Sequence, residues 1–289
     1  PEILLDPQGM VTSVQPSSRN RAHRLIEELM VAANRCVAEL MIEADQPALH
    51  RVHDQPDPDR VGQLRETLAE LGYTLEGEDD SLRPVELQKL LRQVEGKPEE
   101  RLVSMLVLRT MAKAIYSSDP RGHYALAAPA YLHFTSPIRR YPDLVVHRML
   151  RRLQADGEPV RGMERERVEL ELAELGGQCS SAEQRAESAE RMAVLWKTVQ
   201  YLQTRVGEVF DGTVSGVKDF GLFVQMDDFM IDGLVHISEL LDDYYSYEEE
   251  RHRLVGERTG RVWRLGDRIR VQLASVNAGE QKVELVPVA

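Results

Sequence analysis

Near Thr204 the spacing of apolar residues changes period, and that change restricts the chain to a mixed architecture. From Arg21 to Met41, the residues Ile26, Leu29, Met30, Ala33, Val37, Leu40 and Met41 recur every three or four positions, the stripe of an amphipathic helix, with Arg24, Glu28 and Arg35 opposite. Segments around Val61 to Leu71, Pro84 to Val94 and Glu99 to Tyr116 repeat the pattern. Further helices are expected from Gly162 to Leu175 and, beyond a break at Gly176-Gly177, from Ser180 to Gln203. Past Val206 the pattern becomes short β-branched and aromatic runs between Gly and Asp: Gly207 to Val214, Gly221 to Met226, Gly233 to Ile237, Arg268 to Ser275 and Lys282 to Val286. Five such runs close together suit a small closed barrel. The expectation is therefore an α+β chain, mostly helical over residues 1–203 and a five-stranded β-barrel over 204–289.

A length of 289 residues supports more than one core, and the longest apolar stretch, near Leu106, is too short to cross a bilayer, so no membrane partner is expected. The net charge of −12 argues against a surface coated in positive potential, so any nucleic-acid site must be a local patch. Cys36 and Cys179 lie in helix-like patterns without a second ligand at metal spacing; they read as reduced core thiols of a cytoplasmic protein. The first residue is proline and no charged-then-apolar leader follows, so the sequence reads as a piece of a longer chain.

The richest chemistry lies in Gly122-His123-Tyr124-Ala125-Leu126-Ala127 and in Tyr131-Leu132-His133-Phe134-Thr135-Ser136-Pro137-Ile138-Arg139-Arg140-Tyr141-Pro142-Asp143-Leu144. Two prolines prevent one continuous helix or strand here, so the run is a shaped loop entering a helix that Pro142 helps to start. Arg139 and Arg140 could pair with carboxylates in a structural network, or could present guanidinium groups to a phosphate.

This run closely resembles the signature of the RNB family, the ribonuclease II and RNase R exoribonucleases, and the likeness extends through Leu25-Ile26-Glu27-Glu28-Leu29-Met30, Ala33-Asn34 and Arg51-Val52-His53. The resemblance implies that Arg139 sits beside the scissile phosphate and neutralises charge developing on its oxygens, with Arg140 and Tyr141 contacting RNA. Glu183, Glu187 and Glu190 share one helical face, which as a bare pattern is a solvated acidic face. The stretch Ala189-Glu190-Arg191 is similar to the family segment whose glutamate approaches the RNA end, which makes Glu190 a catalytic candidate and Glu28 a lesser one for RNA contact.

In the last third, Gly212-Thr213-Val214, Phe220-Gly221-Leu222-Phe223-Val224 and Gly233-Leu234-Val235-His236-Ile237-Ser238 resemble an OB-fold RNA-binding domain of the S1 type. That likeness places Phe220, Phe223 and His236 at RNA-facing positions, where exposed rings stack on single-stranded bases, with Lys218 and Arg270 nearby. Asp242-Asp243-Tyr244-Tyr245 and the following Leu254 to Gly260 look more like the RNase R branch than ribonuclease II.

The family resemblance implies a processive 3′-to-5′ exoribonuclease that hydrolyses single-stranded RNA to nucleoside 5′-monophosphates with Mg²⁺, whose Asp cluster is expected upstream of Pro1 along with two cold-shock-like domains. No metal ligands are assigned within the chain, because Asp57 and Asp59, Asp79-Asp80, Asp227-Asp228 and Asp242-Asp243 read as turn residues. This piece alone is expected to bind RNA weakly and cut little or nothing. A monomer is expected, with the ribosome or RNA-decay factors as candidate partners. The competing reading is a non-catalytic RNA-binding adaptor.

Overall fold

Proline, aspartate and asparagine start the first helices of the computed structural model, which describes residues 2–15, 20–78, 82–97, 99–249 and 253–288. After an antiparallel hairpin, β1 (Glu2–Leu5) and β2 (Val11–Gln15), come α1 (Arg21–Glu43), β3 (His50–Val52), α2 (Pro58–Glu70), α3 (Pro84–Val94) and α4 (Glu100–Thr110). Asn20 caps α1 by accepting from the His23 N–H at 2.9 Å, and Asp57 caps α2 ahead of Pro58 in its first turn. At α3 the buried Glu86 reaches back to accept from the Arg83 N–H at 2.7 Å, and the Arg83 guanidinium donates to the same carboxylate. The pair Asp79-Asp80 lies outside the described residues.

Then follow β4 (Ile115–Ser117), α5 (Tyr141–Asp156), α6 (Gly162–Leu202), β5 (Val209–Lys218), β6 (Gly221–Met226), β7 (Asp232–His236), β8 (Tyr245–Glu248), β9 (Arg253–Gly256), β10 (Val262–Trp263), β11 (Arg268–Asn277) and β12 (Lys282–Pro287). The chain forms two compact units, one of Arg19–Ala186 and the other of Pro1–Ser18 with Glu187–Ala289.

The first unit holds two apolar clusters. Val61, Leu64, Leu68, Leu87, Leu90, Val94 and Val103 join α2, α3 and α4. Met41, Leu49, Tyr116, Leu132, Val146 and Leu172 join α1, the β3–β4 pair, α5 and α6. Three expectations need correction here. The helix expected to run to Tyr116 ends at Thr110, because Ile115 to Ser117 pair with β3 instead. The apolar stripe of α1 is buried only in its second half, through Ala38 and Met41, while Leu25, Ile26 and Leu29 are exposed. Cys36 is exposed and Cys179 half-buried, so the thiols are free but Cys36 is not in the core.

Gly176-Gly177 does not break α6, which runs unbroken through both glycines. A Cβ on Gly176 would lie 2.7 Å from the Tyr116 carbonyl oxygen. Glycine is therefore there for close approach of helix to strand rather than as a stop. Ser180, one turn on, accepts from the Tyr116 N–H at 2.9 Å and donates to the Gly176 carbonyl at 2.8 Å.

In the second unit five strands close a barrel in the order β11-β12-β7-β6-β5, sealed by a parallel contact that registers Glu284 with Leu234. Val214, Leu222, Val224, Met226, Val235, Leu273 and Leu285 fill it, joined by Val199 and Leu202 from the end of α6. The matching mixture of helix and strand, with a five-stranded closed barrel, is the α+β architecture expected from the sequence. A three-stranded sheet, β10-β9-β8, is inserted between β7 and β11. Its turn is tied by Asp243, which accepts from the Thr259 hydroxyl and N–H, each at 2.6 Å, and from the Tyr244 and Arg258 N–H groups. Those bonds, the Thr259 hydroxyl first, hold its carboxyl down at about 2.

Candidate nucleic-acid interface

Arg51 registers with Tyr116 across the β3–β4 pair, and its guanidinium lies 4.5 Å from the centroid of the Tyr116 ring. The same guanidinium makes a bidentate pair with Glu183 of α6, at 2.6 and 3.1 Å. Of the three carboxylates on that helical face, Glu183 is thus engaged and Glu187 pairs with Arg191 at 3.5 Å. Glu190 is exposed and belongs to the second compact unit. Glu28 is exposed on α1.

The loop between β4 and α5 folds back on this strand pair. The Arg51 N–H donates to the Tyr131 carbonyl at 3.0 Å, and the His53 N–H to the Gly122 carbonyl at 3.1 Å. Gly122 has φ +83 and a Cβ there would meet the Ala128 carbonyl at 3.0 Å, so a side chain is excluded. The rings of His53 and His123 stack at 5.0 Å, His123 meets Tyr131 edge-on at 5.2 Å, and the Tyr116 hydroxyl lies 2.9 Å from Nδ1 of His133. Burial drives His50 and His123 down to about 4. Burial, helped by the Arg140 and Arg51 charges, drives His133 to about 3 and burial raises Tyr116 to about 12, so these groups are neutral near pH 7.

The turn that follows is fixed from both sides. Asn34 of α1 donates to the Tyr131 hydroxyl at 3.0 Å and accepts from the Phe134 N–H at 2.9 Å, while His147 of α5 stacks on Phe134 at 3.9 Å. Asp143, in the first turn of α5 and fully buried, accepts from the Ser136 N–H at 2.7 Å and from the Arg140 guanidinium at 2.8 Å. Arg140 is therefore tied to the structure that shapes the loop. Arg139 is exposed, and among the described residues its guanidinium has no carboxylate partner. Tyr141 opens α5 and is half-exposed. The outcome is one exposed guanidinium on a turn braced by its neighbour.

On the barrel, alternation sorts the faces. Leu222, Val224 and Val235 point inward, whereas Phe223 packs outward over Gly216, with its ring 3.3 Å from where a Cβ there would sit. Lys218 registers with Gly221 and Gly221 with His236, and the neighbouring row is Gly216, Phe223 and Leu234. Phe220 stands beside this face, 43% exposed and edge-on to Phe223 at 5.9 Å. His236 is exposed, and its Nδ1 lies 2.8 Å from the Ser238 hydroxyl. Lys218, Phe220, Phe223 and His236 therefore share one patch. Arg270 does not: it registers with Asp211 at the far end of β5 and approaches that carboxylate at 3.5 Å, because the antiparallel pairing of β5 with β11 runs away from Lys218.

Sequence reasoning missed Asp143, Arg51 with Glu183, and Tyr116 with His133. Asp143 was readable as an acid three residues beyond Arg140 at a helix start. The others depend on pairing across long stretches of chain, for which one sequence carries no signal.

The family models that match are the RNB domain over residues 1–156 and the S1 RNA binding domain over residues 203–285. The chain is 40% identical over 288 residues to Ribonuclease R of Escherichia coli strain K12, covering 98% of this chain and 35% of that protein. It is 42% identical over 283 residues to Ribonuclease R of Aquifex aeolicus, covering 98% of this chain and 39% of that one. The solved structure of Mycoplasma genitalium RNase R in complex with ribose methylated single-stranded RNA superposes with a TM-score of 0.92 at 30% identity, covering 99% of this chain and 45% of that chain. The chain thus spans about 35–39% of the length of these curated relatives. With the RNB model matched over more than half its residues, and with an α+β fold ending in an S1-type barrel, the chain belongs to the RNB family of exoribonucleases.

Proposed function

We propose that this chain serves in a processive 3′-to-5′ exoribonuclease that hydrolyses single-stranded RNA to nucleoside 5′-monophosphates, with Arg139 stabilising charge on the scissile phosphate. The observation that carries the reading is the division of labour between adjacent arginines, one paired with the buried Asp143 and the other exposed without a carboxylate partner among the described residues. The face of Lys218, Phe220, Phe223 and His236 guides the strand by stacking and phosphate attraction, in keeping with an S1-type barrel and with the single-stranded RNA bound by the Mycoplasma genitalium relative. Arg140 acts indirectly, and Tyr141 and Glu28 border the RNA path, while Glu190 approaches the RNA end.

Mg²⁺ is the metal we assign to the complete enzyme, supplying water activation and charge stabilisation when bound. Among the described residues there is no grouping of three or more His, Cys, Asp or Glu side chains able to hold a metal ion. We assign its ligands to the part of the relatives' length that this sequence does not span. No helix among the described residues is long and apolar enough to cross a membrane. A cytoplasmic monomer, meeting the ribosome or other decay factors through RNA, is the setting we assign.

Digestion of 3′-labelled and 5′-labelled oligo(A) with Mg²⁺, by this chain and by a version extended to the relatives' full length, tests the proposal. Stepwise shortening from the 3′ end by the extended version alone supports it. Inactivity of both, with RNA binding retained, turns the reading to an RNA-binding adaptor.

A further inference from the structure

Tyr116 is 6% exposed, and among the described residues its hydroxyl has one hydrogen-bond partner, Nδ1 of His133 at 2.9 Å. A buried phenol proton needs an acceptor, since leaving it unpaired costs a desolvation penalty. Were Nδ1 protonated, it would donate to the phenol oxygen and strand that proton, so the phenol donates and Nδ1 accepts. The proton of the neutral ring then sits on Nε2. The rings of Tyr116 and Tyr131 brace the imidazole edge-on at 5.6 and 5.9 Å, and the Arg51 guanidinium lies 4.5 Å from the Tyr116 ring centroid while itself clamped by Glu183. His133 is half-buried, and among the described residues Nε2 has no hydrogen-bond partner.

The result is an oriented N–H without an internal acceptor on the loop that leads into Ser136, Arg139 and Arg140. Resting on the reading of that loop as the phosphate-facing site, we propose that His133 is an RNA-contacting residue. It donates from Nε2 to an oxygen of the bound strand, with Tyr116 as the positioning residue that fixes its tautomer. Burial, helped by nearby Arg140 and Arg51, disfavours a second proton on the ring, so the contact is that of a neutral donor and persists across the range in which an ordinary histidine would titrate.

Long-range ¹H–¹⁵N spectra of the imidazoles in this 289-residue chain, with His133 assigned by its loss in His133→Asn, test both halves. The expected spectrum is the Nε2–H tautomer from pH 5 to 8, replaced by a tautomer average in Tyr116→Phe. Adding oligo(A) shifts the Nε2 signal. A shift retained with oligo(dA) assigns the acceptor to a phosphate, and one lost with oligo(dA) assigns it to the ribose 2′-hydroxyl.

In the full-length enzyme, His133→Gln keeps a donor near the Nε2 position and stays within about twofold of the parent in KM. His133→Asn reaches only the Tyr116 side and raises KM about five- to tenfold, the loss of one hydrogen bond. An Nδ1–H tautomer overturns the inference. So does an Nε2 signal unmoved by oligo(A) that shifts the Arg139 side chain, which leaves the reading of the loop intact. If Arg139 is unmoved as well, that reading fails together with this one.

Discussion

Asp143 and Arg140 meet at 2.8 Å with the carboxylate wholly buried, and among the described residues the second Asp143 oxygen and the Arg140 Nε have no hydrogen-bond partner. Such a pair resists loss of either member, because the survivor is an uncompensated charge in a poorly solvated place. Asp143→Ala is expected to destabilise the first unit by about 3 kcal/mol, measured by chemical denaturation followed through a probe in that unit. A change of only a few tenths would show that the turn does not depend on this pair.

Arg139→Ala should separate function from stability. An exposed arginine without a carboxylate partner contributes within about 0.5 kcal/mol to folding, whereas a donor aimed at transition-state charge is worth roughly 10²–10³ in kcat. Turnover of oligo(A) by the full-length enzyme is the measurement, and unchanged turnover would remove Arg139 from the chemistry.

The adjacent glycines of α6 make a matched pair of probes. At Gly176 an added methyl meets the Tyr116 backbone carbonyl, and Gly176→Ala is expected to destabilise by about 1–3 kcal/mol. At Gly177 nothing lies within 4 Å, and Gly177→Ala should stabilise the helix by up to about 1 kcal/mol. Equal effects at the two sites would argue against the close approach of α6 to β4.

Phe220→Ala and His236→Ala should each weaken single-stranded RNA binding by about 1–3 kcal/mol in titrations at fixed salt, without altering the barrel's stability comparably. Arg270→Ala, at the far end of β5, should change affinity by less than either ring.

The depressed histidines give stability a pH signature. An unfolded histidine takes up its proton near pH 6.5, whereas His50 and His123 do so near 4 and His133 near 3 in the folded chain. The unfolded state therefore binds more protons below pH 6.5, and folding free energy falls with pH down to those values, by about 1.4 kcal/mol per pH unit for each histidine. Denaturation midpoints at pH 7.5, 5.5 and 4.5 should drop progressively, more steeply than in a chain carrying His133→Asn. A flat profile would mean that these imidazoles are not buried in neutral form.

The barrel strands were readable because alternation and bounding glycines act locally: Gly221 to Met226 is strand from end to end, and Lys282 opens the last strand. Pro84 to Val94 was equally plain, since proline and an acid three residues past the cap mark a helix start. The continuity of α6 was hidden because a glycine pair has the same spelling whether it ends a helix or admits a neighbouring carbonyl. The end of α4 was hidden because Ile115 and Tyr116 fit a helical stripe until β3 offers them hydrogen bonds. In the candidate site, the loop and its arginines could be found by their pattern. Which arginine was free could not, since that depends on where the buried carboxylate comes to lie.

Barrel closure has a consequence for what kind of polymer this domain can hold. With β11, β12, β7, β6 and β5 joined in a ring, each of these strands has a neighbour on both sides, so among the described residues the barrel presents no free sheet edge for a further strand. A guest must be gripped by side chains standing on the outer wall. Under the proposed function, ring faces that stack on any base and an ammonium that attracts phosphate would let a strand slide along the wall instead of locking one sequence in place.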